Sequence, residues 1–557
     1  MKILTNLNMM KIILQREFNL INQICLFSIF FLFTNDQLNS QVNQEWFNIY
    51  DGNLNNVSNG EELVADDFGN LYVAYFHEFD SVGTSDIVLI KYNSNNNREW
   101  ISRYNGPGNG KDQVSGLEID NSGNIYLIGE SKGDGTGLDY VIIKYNPEGI
   151  EQWVNRFTSE SDHTDAPYGI TFDDSNNIYV TGQSSTGSEL TYDCVTIKYD
   201  SSGNQIWLAR HHDRQQQLGG KVITDKYGNV FVVGRGSEGL LTLKYNEAGI
   251  EQWVRYYRGP GGSNTGKRIG LDSLGNVYVS GTSEGEYYYD YVTLKYSPSG
   301  EELWVRRYNG TANYQDQLND MVVEKSGNVY VTGNGTQTGA GYDYTTIKYN
   351  SNGDQLWITK YHNGLNDIAL AMVQDDLGNI YVTGESDGNG TQFDYTTVKY
   401  DSSGNLKWSI RYNFSNQYRD KANDITLDKS NNVYITGGSF VWEEHGGIAT
   451  TIKYSQTITG VTQVLMGKPD IYSLSQSYPN PFNPSSILGF GISKLGFVSL
   501  KVYDVLGNEV AALVNENKPA GSYEVEFDGS NYASGIYFYR LEVNGNHIET
   551  KRMILLK

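Results

Sequence analysis

Cysteine is nearly absent from this chain. Two occur in 557 residues, Cys25 and Cys194, so neither a disulfide framework nor a cysteine-based metal site can be built from them. Proline is scarce at 10 residues. Basic residues are outnumbered, 42 against 65 acidic, for a formal charge of −23. That balance excludes an electrostatic grip on nucleic-acid phosphates and favours solubility. Long apolar runs are missing too. The longest runs from Ile24 to Phe33, ICLFSIFFLF, too short to span a bilayer as a helix. With Lys2, Lys11 and Arg16 before it, it reads as the apolar core of an export signal covering 1–40, with an uncleaved anchor as the alternative. Once the signal is removed, no membrane span is expected.

What is abundant is tyrosine, at 43, and it recurs in register. A Gly-Asn-x-aromatic group ends in Tyr72, Tyr126, Phe231, Tyr278, Tyr330 and Tyr381, and two copies with Asn for Gly end in Tyr179 and Tyr434. Lys-Tyr pairs end at Tyr92, Tyr145, Tyr199, Tyr245, Tyr296, Tyr349, Tyr400 and Tyr454. Tryptophan stands at 46, 100, 153, 207, 253, 304, 357 and 408, spaced by 54, 53, 54, 46, 51, 53 and 51 residues. A period of this size marks a repeat architecture. Each copy reads as four strands, A to D, rich in Val, Ile, Thr and Tyr. D-x-x-G-N joins A to B. Its Asp suits the start of a type I turn, and its Gly, or the Asn at 176 and 431, suits the left-handed position that follows.

Stacked radially, four-stranded units of this kind make a β-propeller. Trp46 opens a D-like strand with no A, B or C before it, whereas the last unit has A, B and C but no D. The N-terminal strand is therefore expected to complete the last blade, closing a ring of eight with no free edge. The D-x-x-G-N-x-Y-V-T-G core resembles the β-propeller repeats called SBBP over roughly residues 46 to 454. The expected propeller spans 41–455.

Beyond Tyr454 the landmarks stop. Residues 456–477 read as a linker. The segment 478–557 opens with Tyr478, Pro479, Asn480, Pro481, Phe482, Asn483 and Pro484, whose three prolines preclude a regular central strand. Short alternating segments after it suggest a small Ig-like β-sandwich. Together with Tyr503-Asp504, Leu506-Gly507, Gly535-Ile536-Tyr537 and the terminal Lys551 to Lys557, the stretch resembles the C-terminal sorting domain of the type IX secretion system. The resemblance implies passage through the periplasm, recognition of this domain by an outer-membrane translocon, and its proteolytic removal. The protein is then secreted or held at the outer cell surface.

No catalytic residue stands out. G-x-S-x-G at Gly281 to Gly285 recurs at Gly129 to Gly133 and Gly384 to Gly388, always after strand B, with a strand where a nucleophile elbow needs a helix. The seven histidines lack zinc-ligand spacing, His211-His212 included, so no metal and no cofactor is expected. Cys194 takes the place of Tyr140 in strand C and reads as a small buried residue. Asp112, Asp165, Asp316, Asp367 and Asp420 each precede the A–B turn acid by eight residues. They form either a partial acidic ring open to a ligand or a set of local backbone caps, and their recurrence favours caps. A third series, Asp86, Asp139, Asp193, Asp290, Asp343 and Asp394, opens strand C. Trp442 lies outside the tryptophan series, in the last B–C loop, and is a further candidate for ligand contact. The expected function is a monomeric binding protein whose loops, with Tyr287-Tyr288-Tyr289 among them, hold a glycan or protein. The alternative is a propeller enzyme, quinoprotein-like or active on polysaccharides. NSNGDQLW near Trp357 resembles quinoprotein repeats, but the cysteine pair common in those dehydrogenases is missing.

Overall fold

The structure, a computed structural model, describes residues 42–50, 58–78, 84–159, 163–187, 191–212, 217–337, 341–388, 391–416, 418–440, 447–456, 462–464, 469, 471–518, 520–529 and 532–557. No helix occurs among them. The chain divides into two compact units, Met1–Gln456 and Thr457–Lys557.

In the first unit the repeat letters become hydrogen bonds. At the A–B turn of the second sheet, Asp120 Oδ1 accepts the N–H groups of Ser122 and Asn124 at 2.8 and 2.9 Å, and Oδ2 accepts Asn124 Nδ2 at 2.8 Å and the Tyr126 hydroxyl at 3.1 Å. Gly123 closes the turn at φ 80°, and in the two copies without Gly, Asn176 and Asn431 take φ 57° and 58°. The motif thus encodes a self-satisfied turn that needs one left-handed residue. Inside each sheet, strands B and C are buried on both faces, as in Ile125–Lys132 and Leu138–Tyr145. Burial on both sides is why they read as continuous apolar runs.

Eight four-stranded antiparallel sheets form among the described residues of this unit. We number them as blades 1 to 8, at 58–104, 112–157, 165–211, 218–257, 264–308, 317–361, 367–412 and 419–456. Strand A of each blade touches strand A of both neighbours, and that of blade 8, Arg419–Leu427, touches that of blade 1, Ser58–Ala65. The ring is closed, as in a propeller. Blade 8 receives its outer strand from Val42–Tyr50, which runs antiparallel to Gly447–Gln456 with Trp46 opposite Lys453 and Tyr50 opposite Ala449.

Neighbouring blades are latched at the tryptophans. Trp304 Nε1 and Lys295 Nζ both donate to the Ser351 carbonyl in the C–D turn of the next blade, at 3.1 and 3.0 Å. Trp100 with Lys91 on Pro147, Trp253 with Lys244 on Pro298, and Trp357 with Lys348 on Ser402 repeat the arrangement. The turn glycine lies flat on the indole. At Gly353, φ is 81° and a Cβ would come within 2.8 Å of the Trp304 ring. Blade 8 has no C–D turn because its outer strand comes from the other end of the chain. There Gln456 Oε1 stands in for the missing carbonyl, accepting Lys399 Nζ at 2.7 Å and Trp408 Nε1 at 3.4 Å.

The second unit has two four-stranded sheets around one core that includes Phe482, Leu488, Tyr523, Leu500, Tyr539 and Leu541. Thr462–Val464 and Ser473–Leu474, within the stretch expected to be a linker, pair with strands Gly521–Asp528 and Ser485–Ile492 of this unit. The proline-rich segment makes isolated bridges. Phe482, 2% exposed, sits in the core, its N–H on the Ile554 carbonyl at 2.9 Å. Asn480 Oδ1 accepts the Ile554 N–H at 2.9 Å. The motif therefore straps the terminal strand Asn546–Leu555.

Candidate functional site

The D–A and B–C loops gather on one face of the first unit. The five aspartates at the start of strand A, or just before it, lie there, and none is open to a ligand. Asp112, Asp165, Asp316, Asp367 and Asp420 are each 0% exposed. Each accepts a backbone N–H from the loop before it, from Gly106 at 2.8 Å, Ser159 at 2.6 Å, Gly310, Asn363 at 2.8 Å and Phe414 at 2.7 Å respectively. Blade 5 has Asn264 in this place, taking the Gly259 N–H at 3.2 Å, so the position needs an acceptor and not a charge. Burial pushes the carboxyls above the usual carboxylate range, Asp420 up to about 6. Strand D arginines pair instead with the aspartates that open strand C: Arg103 with Asp86, Arg156 with Asp139 at 2.9 Å, Arg210 with Asp193 at 3.0 Å, Arg307 with Asp290 and Arg411 with Asp394 at 2.6 Å. Trp442 lies outside the described residues.

A bulge interrupts every strand A at the same point, for example between Gly60 and Glu62, Gly219 and Lys221, and Gly266 and Arg268. The extra residue re-aims the side chains beside it. Glu62, Glu118, Thr171, Lys221 and Arg268, from blades 1 to 5, line one cavity of about 300 Å³ on the ring axis. Arg268 Nε donates to Asp320 at 2.6 Å, and Asp424 accepts the Leu63 N–H at 3.0 Å and the Ile425 N–H at 2.8 Å. Burial raises the Glu62 carboxyl, and the Lys221 and Arg268 charges oppose the rise. Glu118 is exposed to the channel opening, and partial desolvation there raises its carboxyl as well, with Lys221 opposing the rise. The channel is thus polar and of mixed sign.

Aromatic surface concentrates at blades 5 and 6. Most repeat tyrosines are buried, but Tyr287, Tyr288 and Tyr314 are 68%, 40% and 52% exposed. Tyr288, in a B–C loop, stacks on Tyr314, in the following D–A loop, with ring centres 4.4 Å apart at 29°. The Asp316 N–H on the Tyr289 carbonyl at 2.7 Å ties the two loops, and the Gly285 N–H on the Tyr288 carbonyl at 2.6 Å closes the B–C loop on itself. The result is a pre-set aromatic platform on the loop face.

Residues 476–556 match the family described as secretion system C-terminal sorting domain, and 152–187 and 252–288 match the beta-propeller repeat SBBP. The chain is an exported β-propeller protein with a type IX sorting tail. That tail routes it to the cell surface or the extracellular space and engages the type IX machinery. An uncharacterised WD repeat-containing protein of Acanthamoeba polyphaga mimivirus is 22% identical, covering 69% of this chain. The propeller chain spans about a third, 35%, of that protein's length. Among solved structures, PorZ, a bacterial surface component of the type-IX secretion system of Porphyromonas gingivalis, is similar at 13% identity and a TM-score of 0.33, over 89% of this chain and 75% of its own. Polysaccharide lyase Uly1 is similar at 8% identity and a TM-score of 0.41, over 71% of this chain and 89% of its own.

Sequence motifs that suggest chemistry dissolve in the exported propeller. Ser283, the middle of GTSEG, is fully buried and bonded to Asn264 Oδ1 at 2.5 Å. Cys194 is 0% exposed, and burial pushes its thiol up to about 12, so it is no nucleophile at neutral pH. Two groups escape a reading by pattern. The channel charges depend on a bulge that no periodicity reveals. His362 meets Asp343 and Asp367 only once the ring has formed, although Lys360 replacing the arginine found three residues after five of the tryptophans marks the place.

Proposed function

We propose that the exported propeller is a binding protein, monomeric at work, that holds a glycan on its loop face at Tyr287, Tyr288 and Tyr314. The observation that supports this reading is the stacked, solvent-facing pair Tyr288–Tyr314 with Tyr287 beside it, whereas other exposed rings of the propeller, such as Phe68 and Tyr227, stand singly at the A–B turns. Exposed rings are costly unless something covers them, and two rigid loops present these at no further ordering cost. The apolar face of a sugar ring stacks on such a surface, and nearby loop amides and acids supply hydrogen bonds. The five buried aspartates are proposed to act from behind, fixing the loops.

A glycan array probed with the purified full chain tests this. Binding to a defined set of polysaccharides is expected, with about a tenfold or greater loss in Tyr288→Ala/Tyr314→Ala and an unchanged melting temperature. Failure to bind any glycan, or binding that ignores the double substitution, would overturn the reading in favour of a protein ligand or another surface.

A further inference from the structure

Four blade interfaces share one construction. An aspartate opens strand C, a second aspartate stands at the start of strand A of the next blade, and a strand D arginine holds the first. The sets are Asp86, Asp112 and Arg103; Asp139, Asp165 and Arg156; Asp290, Asp316 and Arg307; and Asp394, Asp420 and Arg411. The interface between blades 6 and 7 keeps both carboxylates, Asp343 and Asp367, each 0% exposed. It lacks the arginine. Lys360 stands there, with its ammonium 5.9 Å from the Tyr308 ring centre. His362 takes the place instead, its Nδ1 2.7 Å from Asp343 Oδ1 and 4.0 Å from Asp367 Oδ2.

We propose that Asp343, His362 and Asp367 bind a divalent metal ion of the zinc class. Their three ligand atoms lie within 4.8 Å of one another. Tetrahedral donors about 2.1 Å from a metal stand roughly 3.4 Å apart, and the two measured separations bracket that value. Imidazole with carboxylates is a donor set that suits zinc. Two buried carboxylates without a permanent cation are costly, and a divalent ion would offset both charges, whereas elsewhere the arginine pairs with the first carboxylate alone. The carboxylates are held in place: Asp343 Oδ2 by Gln337, Asp367 Oδ1 by the Ser386 hydroxyl, and Asp367 Oδ2 by the Asn363 N–H at 2.8 Å, which leaves that oxygen a second lone pair for a metal. Such outer contacts orient metal ligands. The His362 side chain is 50% exposed, leaving an entry path and room for a water ligand. Blade 3 supplies the contrast. His212 holds the equivalent position, 2.5 Å from Asp193, but Arg210 already pairs with that carboxylate at 3.0 Å, and Gln217 replaces the second one. This inference does not rest on the tyrosine platform.

The test is a zinc titration of the tag-free full chain, stripped with chelator, in competition with a chromophoric chelator. One equivalent should bind. His362→Ala should lose about tenfold or more in affinity. Lys360→Arg, which rebuilds the arginine arrangement of the other interfaces, should abolish uptake while the apo melting temperature holds or rises. His212→Ala should bind as the parent does. No uptake by the parent, or equal uptake by the parent and both blade 6 variants, would overturn the proposal.

Discussion

Asp420 shows how a single residue serves the fold. It is fully buried, caps the Phe414 N–H at 2.7 Å and is held up to about 6. A carboxyl whose folded value lies above its unfolded one binds protons more tightly when folded. Its contribution is then greatest below about pH 4 and declines as pH rises through about 6. Asp420→Asn should keep the acceptor and flatten that decline in urea titrations run from pH 4 to 7. Asp420→Ala should cost about 1–3 kcal/mol by leaving the N–H bare. Equal losses in both would show that the charge itself matters. Gly353 is a second case. A Cβ there meets both a left-handed φ of 81° and the Trp304 ring. Gly353→Ala should lower stability by roughly 2–4 kcal/mol in chemical denaturation, and a loss near zero would contradict the latch. These residues are legible in the sequence because the repeat prints them many times over. The channel set is not. Glu62, Lys221 and Arg268 differ from blade to blade, and the bulge that aims them shifts register without altering the pattern of apolar residues.

At the scale of the element, the closing strand is the critical part. Val42–Tyr50 pairs with Gly447–Gln456, joining the two ends of the propeller sequence in one sheet. The sequence announces this by a spare D strand at one end and a missing one at the other. What it does not announce is Gln456, which follows the last Lys-Tyr and belongs to no repeat. Its side chain replaces a turn that blade 8 cannot have. Gln456→Leu should leave Lys399 and Trp408 without their acceptor and cost about 1–3 kcal/mol. Deleting residues 42–50 should do more, exposing the Gly447–Gln456 edge and promoting association on size-exclusion chromatography. A monodisperse, equally stable deletion variant would show that the ring does not depend on the strand.

At the scale of the molecule, labour is divided between the two units. One unit is a closed ring, on whose loop face we propose that a ligand is held. The other is a small two-sheet domain whose YPNPFNP segment straps its own last strand and whose sequence matches a sorting domain. Each has its own core, so neither needs the other to bury its apolar surface. The two-unit plan is legible because the landmarks stop abruptly after Tyr454. The short strands at 462–464 and 473–474 are less so, since two or three residues carry no periodicity. The measurement that tests this account most directly is fractionation of a host with type IX machinery, comparing the full chain with one ending at Gln456. The full chain should be found at the surface or in the medium, and the shortened chain should accumulate folded in the periplasm, with the cooperative melt of the intact ring. A shortened chain that reaches the outside at the full level, or that no longer folds, would contradict the division.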